Sequence, residues 1–225
     1  MPRRSVLTEA EVQELLAFPE SPEEIVQHYT LSEEDLVVIR QHRGDPQRLG
    51  VAVLLCAMRY PGISVDTGTI IPEAILKYVA GQLGIEASVW FQYAKRSATR
   101  REHLLELRKI YGFRLFGAKD YRKFLEELKN LALLTDRGIA LGEKLVELLV
   151  TRKILAPAPE TIRSLCSEAI IKGTREIYNL LLADCDSGHL GRLDALLTLR
   201  EGTASSIFTW LTETPGKPTP RNILT

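Results

Sequence analysis

Leu49 to Met58 form an unbroken run without a charged residue, set between arginines in "RLGVAVLLCAMRYPG" at positions 48–62. The run is far short of the roughly 20 residues that cross a bilayer as a helix. Its alanines, its glycine and its few β-branched residues argue against a strand. Pro46 suits a helix start and Pro61-Gly62 a stop. A helix apolar almost all round must be buried, so the segment demands a globular domain with packing partners on every side. Arg48 and Arg59 are eleven residues apart, close to three turns, and project from the same side of that helix.

The rest of the chain reads as helices. Thr8 with Glu11 makes a capping box for a helix through Leu16. Ser21-Pro22 opens a second, and Ser32 caps a third in which Leu36 and Ile39 recur at helical spacing. After the buried helix, residues 60–71 form a loop, and Pro72 starts a helix to Leu83. A short helix from Glu86 to about Tyr93, the turn "KRSAT" and a helix from Thr99 to Tyr111 give a helix-turn-helix outline. Any pair of packed helices gives the same outline. A long helix follows over 118–134, with Tyr121, Phe124, Leu125, Leu128, Leu131 and Ala132 on one stripe, then another over 140–153. No alternating strand pattern or phosphate-cradling glycine loop occurs, which argues against a nucleotide-binding α/β fold.

"APAP" at 156–159 breaks the pattern and reads as an exposed linker, with a flexible joint expected there. The expected organisation is a helical domain over 1–156 and the start of a second over 157–225, with helices near 160–182, 188–197 and 204–211. Near the end, Thr219-Pro220 announces a helix with only five residues left, the mark of a chain cut from a longer one. The expected fold class is all-α, a multi-helical domain with helix-turn-helix-like elements followed by the start of a second helical domain.

A hydrophobic content of 45% supplies ample core. With no signal-like segment, a soluble, cytoplasmic protein is expected. Cys56, Cys166 and Cys185 are odd in number and form no CxxC pair, so they read as reduced core residues. The formal net charge of zero conceals an asymmetry: residues 1–92 carry 7 Lys/Arg against 13 Asp/Glu, residues 93–153 carry 15 against 8, and residues 154–225 carry 7 against 8. One basic segment in a neutral chain points to a localised anionic partner.

That segment is densest from Tyr93 to Lys123, with ten Lys/Arg against three acids. On a helical wheel of 99–111, Leu104, Leu107 and Tyr111 define the core side, and Glu102, Glu106 and Lys109 point away. Arg101 and Arg108 fall within about 20° of one another on one flank of the core stripe. Arg100 falls on the other flank. Arginines segregated from acids suit phosphates and guanine edges. Lys119, Arg122 and Lys123 crowd the first turns of the next helix, where the macrodipole disfavours cations, and a bound phosphate would relieve that. With Lys95 and Arg96 in the turn, these are the expected DNA-binding residues: Arg100, Arg101 and Arg108 as base readers, Lys119, Arg122 and Lys123 as phosphate contacts. A solvated charged face explains the same charges equally well. His28, His42, His103 and His189 share no metal-ligand spacing, and HExxH, GxSxG and P-loop patterns are absent, so no catalytic residue, metal or cofactor is expected.

The blocks "HYTLSEEDL", "RLGVAVLLCAMRYPG", "RREHLLEL", "YGF" and "WLTETPGKPTP", in that order over nearly the whole chain, resemble the N-terminal region of transposases of the Tn-three family. Family members often carry an aromatic residue at position 51 and a polar one at 54, where this chain has Val51 and Leu54. The resemblance implies a helical, DNA-binding part of a transposase that recognises the terminal inverted repeats of its transposon. The family's metal-holding catalytic acids lie far downstream in an RNase-H-like domain, so the chain itself is not expected to be an enzyme. Implied partners are double-stranded DNA, the rest of the transposase chain and a second copy in self-association, with no membrane and a place at the bacterial nucleoid. The alternative from another class is a helical protein–protein module for transposase assembly that does not contact DNA.

Overall fold

The computed structural model describes residues 6–66, 68–93, 97–183 and 185–212. The expected helix after Thr219 lies outside them. The fold is all-α, and the described residues include two strands of two residues each. The chain divides into two compact units, Met1–Thr174 and Arg175–Thr225.

The first unit opens with α1 (Glu9–Leu15), α2 (Pro22–Tyr29) and α3 (Glu33–Arg40). Each starts where local chemistry satisfies its free N–H groups: the Thr8 hydroxyl accepts from Glu11 N, Ser21 from Glu24 N and Ser32 from Asp35 N. Helix α4 (Asp45–Arg59) follows and buries every residue from Leu49 to Met58. It is surrounded by α2, α3, α5 (Glu73–Leu83), the 3-10 turn Ala87–Gln92 and α6 (Ser97–Tyr111). Each large aliphatic side chain buried here contributes about 1.5–3 kcal/mol. Val51 and Leu54 are both fully buried. An all-round apolar environment accepts them without a polar partner.

Gly50 is required by a close approach. A Cβ there would fall 2.1 Å from Tyr93 Cε2, so only glycine lets the tyrosine ring lie on α4. The polar ends of α4 are tied down as well. Arg48 Nε donates to the His42 carbonyl at 3.0 Å, and the Tyr29 hydroxyl donates to the Tyr60 carbonyl at 2.8 Å. Arg59 forms a fork on Asp35 at 2.7 and 2.6 Å, and Asp35 is fully buried while also closing the α3 capping box. Burial opposes ionisation of that carboxyl, but the Arg59 fork and the Ser32 amide outweigh it and bring its pKa down to about 2.

A second core joins α7 (Ala118–Ala132), α8 (Gly138–Thr151), the first part of α9 (Pro159–Ala183) and the segment Leu7–Val12. Gly138 is needed because a Cβ there would meet the Val6 carbonyl oxygen at 1.8 Å. Strand β1 (Arg114–Leu115) pairs in parallel with β2 (Ile154–Leu155). Successive strand residues face opposite ways. Ile154 accordingly enters the second core and Leu155 the core around α4. Dipeptide strands carry no alternation that a sequence could reveal, and none was expected.

The structure corrects the expected boundary at 156. Ile162, Leu165, Cys166 and Ala169 lie in the second core with Phe124 and Leu128, so residues 157–174 belong to the first unit. Nor is "APAP" an exposed linker: Ala156 N donates to the Gly62 carbonyl at 2.8 Å, and Ala156 and Pro157 are half-buried. The prolines mark a change of direction across a packed surface, not a joint. The expected two-helix outline at 86–111 is not found in that form, since its first element is the six-residue 3-10 turn. Cys56 and Cys166 are core thiols pushed up to about 12 by burial, whereas Cys185 is only half-buried.

The second unit holds the end of α9, α10 (Ser187–Ala195), capped by the Asp186 carboxylate on His189 N at 2.7 Å, and α11 (Ile207–Thr212). Arg200 lies over the Trp210 ring. None of its described residues is buried. Among the described residues, no helix is long and apolar enough to cross a membrane.

Breaking the Arg59 fork should be costly, because Asp35 would keep its charge in a site without water. Arg59→Met is expected to lower unfolding free energy by about 3 kcal/mol, with Asp35→Asn in the same chain restoring part of it. The folded pKa of Asp35 lies below the roughly 3.9 of an unfolded aspartate. Its contribution is therefore full above pH 4 and lost as pH falls towards 2. Urea titrations across that window should show a shallower loss of stability in Asp35→Asn than in the unsubstituted chain. Identical slopes would mean that the pair does not link protons to folding.

Candidate nucleic-acid interface

Helix α6 carries the basic residues because its apolar stripe is fixed first. Leu107 is buried, and Leu104 and Tyr111 pack half-buried against the core around α4. Glu106 does not face solvent as the wheel implied; it is half-buried, 3.6 Å from His42 Nε2. His42 in turn meets His103 edge-on, and His103 Nδ1 lies 2.9 Å from the Tyr93 hydroxyl. Burial and the neighbouring His42 hold the His103 pKa below the usual histidine range.

Arg100, Arg101 and Arg108 come together in one cleft of about 330 Å³, walled by Ser64, Val65 and Asp66 on the loop side and by Leu104, Leu105 and Leu115. The wheel placed Arg100 on the far flank, but the loop at 64–66 rises to meet it. Arg100 is nine-tenths buried, its guanidinium 5.7 Å from the Trp90 ring centre and 5.5 Å from that of Tyr93, and it donates to the Asp66 carbonyl. It forms a wall of the cleft. Arg101 is exposed and Arg108 half-buried. The Nε atoms of Arg100 and Arg108 are buried and meet no acceptor among the described residues. The Asp66 carboxylate lines the same cleft, but its own turn engages it: Oδ1 accepts from Gly68 N at 2.8 Å and from Thr69 Oγ1 at 3.0 Å. Those bonds hold its pKa below the ordinary aspartate value.

At the start of α7 the expected phosphate relief is supplied internally. Asp120 accepts from Gly117 N at 2.9 Å and takes a fork from Arg114 at 2.6 Å on each oxygen. The Arg114 guanidinium, with the Gly117 amide, holds the Asp120 pKa below its usual range despite partial burial. A carboxylate at the third helical position takes up the Gly117 N–H and complements the helix dipole. Lys119, Arg122 and Lys123 are thus not strained by the dipole, and all three are exposed. Arg122 lines a separate shallow depression with Phe116, Gly117, Ala118 and Tyr121.

Basic residues of the 93–153 segment therefore separate into two classes. Arg114 with Asp120, Lys144 with Glu147 and Arg152 with Glu127 are paired. Arg101, Arg108, Lys119, Arg122 and Lys123 make no close ion pair among the described residues, although Asp120 and Glu127 both feel the charge of Lys123. Lys95 and Arg96 lie outside the described residues. Ser64 and Asp66 were not expected at the site; "DTGT" announces a turn but not what the turn faces. Among the described residues, no group of three or more His, Cys, Asp or Glu could hold a metal ion.

Residues 6–169 match a family model described as a domain of unknown function, DUF4158. The chain is 40% identical over 224 residues to the transposase for transposon Tn501 of Pseudomonas aeruginosa. It is 43% identical over 226 residues to the transposase for transposon Tn3926 of Escherichia coli, and 30% identical over 223 residues to that for transposon Tn1546 of Enterococcus faecium. These alignments take in 98–100% of this chain but 23% of each relative, so the chain spans about a quarter of their length.

If Asp120 is the internal anion of α7, its removal and the removal of a nearby cation should differ. Asp120→Ala should cost about 1–3 kcal/mol in urea unfolding, through the lost cap and the unpaired fork. Lys119→Ala should stay within about 0.5 kcal/mol of the unsubstituted chain. Comparable losses in the two variants would deny Asp120 that role.

Proposed function

We propose, from the premise that this chain belongs to the family described as domain of unknown function DUF4158 and aligns over its whole length with part of several transposases, that it is the N-terminal DNA-binding part of a transposase, seated on the terminal inverted repeats of its transposon. The observation that carries this reading is the set of unpaired cations. Arg101, Arg108, Lys119, Arg122 and Lys123 project from the faces of α6 and α7 that the cores leave uncovered. Five cations outside any close ion pair, in a chain of zero formal net charge, suit a localised polyanion, and a duplex backbone supplies charge at high density. Under this proposal the exposed cations of α7, with Arg101 of α6, position the chain on phosphates. On this reading the chain binds DNA and does not cut it; strand chemistry belongs to the parts of the relatives that it does not span.

A second reading concerns residues 175–212 alone. Tyr178, Leu181, Leu197 and Phe208 are each more than half exposed, which suits contact with another protein surface. The remainder of a longer transposase, or a second copy, would cover them. Concentration-dependent mass in light scattering would favour the second copy.

Affinity for a terminal-repeat duplex and a scrambled duplex should be titrated at several salt concentrations. Binding should weaken linearly in log–log form, and Lys123→Ala should weaken both duplexes alike and reduce the slope by about one. Supercoiled plasmid incubated with the chain and magnesium should stay intact. Salt-independent binding, or none at low salt, would remove DNA as the partner, and cleavage that co-purified with the chain would overturn the division of labour.

A further inference from the structure

We propose that the cleft between loop 64–66 and α6 is a pocket for a single phosphate group, gripped by the guanidiniums of Arg101 and Arg108 beside the fixed charge of Arg100. It rests on the DNA-binding reading for the source of that phosphate, a backbone diester, but not for its chemistry. The pocket is built in advance. Arg100 is held by Trp90, Tyr93 and the Asp66 carbonyl, so its charge is fixed in place before any ligand arrives. Its Nε and that of Arg108 are buried without an acceptor among the described residues, so each guanidinium keeps an uncompensated positive charge beside the cleft that an anion held there would offset.

The ligand's chemistry follows from shape and charge. Three guanidiniums face one carboxylate, and that carboxylate is already bonded within its own turn. The surplus calls for a compact anion with several acceptor oxygens, which arginine forks match in phosphate. Reading a guanine edge would need a fork that protrudes into the major groove. Here Arg100 is buried and Arg108 half-buried in a cleft of about 330 Å³ lined by Leu104, Leu105 and Leu115, with Arg101 at its exposed rim. Two of the three guanidiniums thus do not protrude as a base reader must, and the space is large enough for a phosphate group. The cleft therefore fixes register on a strand and does not select sequence, the reverse of the role that helix periodicity gave to these arginines.

The test uses the 225-residue chain labelled for NMR of the arginine Nε–H groups. Inorganic phosphate, added at constant ionic strength against chloride, should move the Arg100 and Arg108 signals saturably. Arg108→Lys, which keeps charge but loses the fork, should weaken that response at least tenfold, while Lys77→Ala, outside the cleft lining, should leave it unchanged. Against duplexes, Arg108→Gln should lower affinity for repeat and scrambled sequences by the same factor. If Arg108→Gln lowers the unfolding midpoint substantially, Arg101→Gln on the exposed rim replaces it. Duplex binding with no phosphate response and no effect of either glutamine variant would overturn the pocket and leave the DNA reading intact. A saturable phosphate response without duplex binding would support the pocket, assign it to a free phosphorylated molecule, and defeat the DNA reading. A loss on the repeat duplex alone would show base reading and overturn the proposal.

Discussion

Helix α4 has no polar side, and the first unit is organised around that fact. Ten successive buried residues leave no direction in which the helix can face water, so neighbours must close on it from all around. Its ends are the only places where polar groups surface, and each is bound into the structure. Arg59 reaches the buried Asp35, Arg48 the His42 carbonyl, and the Tyr29 hydroxyl the Tyr60 carbonyl. Asp35 serves two purposes at once, as the cap of α3 and as the counter-charge of α4, which makes it a junction between helices as well as a member of a pair.

The candidate site is an outgrowth of that packing. Gly50 lets the Tyr93 ring lie directly on α4. Arg100 then lies beside the Tyr93 and Trp90 rings and bonds the Asp66 carbonyl, forming one wall of the cleft. A glycine in the least polar stretch of the chain is thus connected, through one aromatic ring and one guanidinium, to the arginine cleft. The paired strands contribute from the other side. Leu115, in β1, forms part of the cleft wall, and its partner Leu155 sits in the core around α4.

Sorting the arginines into internal and free ones required their partners. Arg59, Arg114 and Arg152 look as basic in the sequence as Arg101 and Arg108, yet each is spent on a carboxylate at 2.6 to 2.9 Å. The acids that neutralise Arg59 and Arg152 lie 24 and 25 residues away. Helical periodicity cannot anticipate such pairs. It does anticipate pairs three and four residues apart, such as Lys144 with Glu147.

By itself, the sequence determined the helices, their starts and the burial of α4. These depend on interactions within a few residues: Thr8 with Glu11, Ser32 with Asp35, and an apolar run that no solvated helix could carry. It also determined that excess positive charge lies between Tyr93 and Lys153, since charge is conserved however the chain folds. Only the tertiary structure decided which cations remain free, that α7 carries its own anion in Asp120, that "APAP" is packed instead of loose, and that Arg100 forms a wall of the cleft. Each of those outcomes turns on a contact between segments distant in sequence, or on competition between a local partner and a distant one. Such contacts are chosen by how whole faces fit together, and no window of neighbouring residues contains that choice.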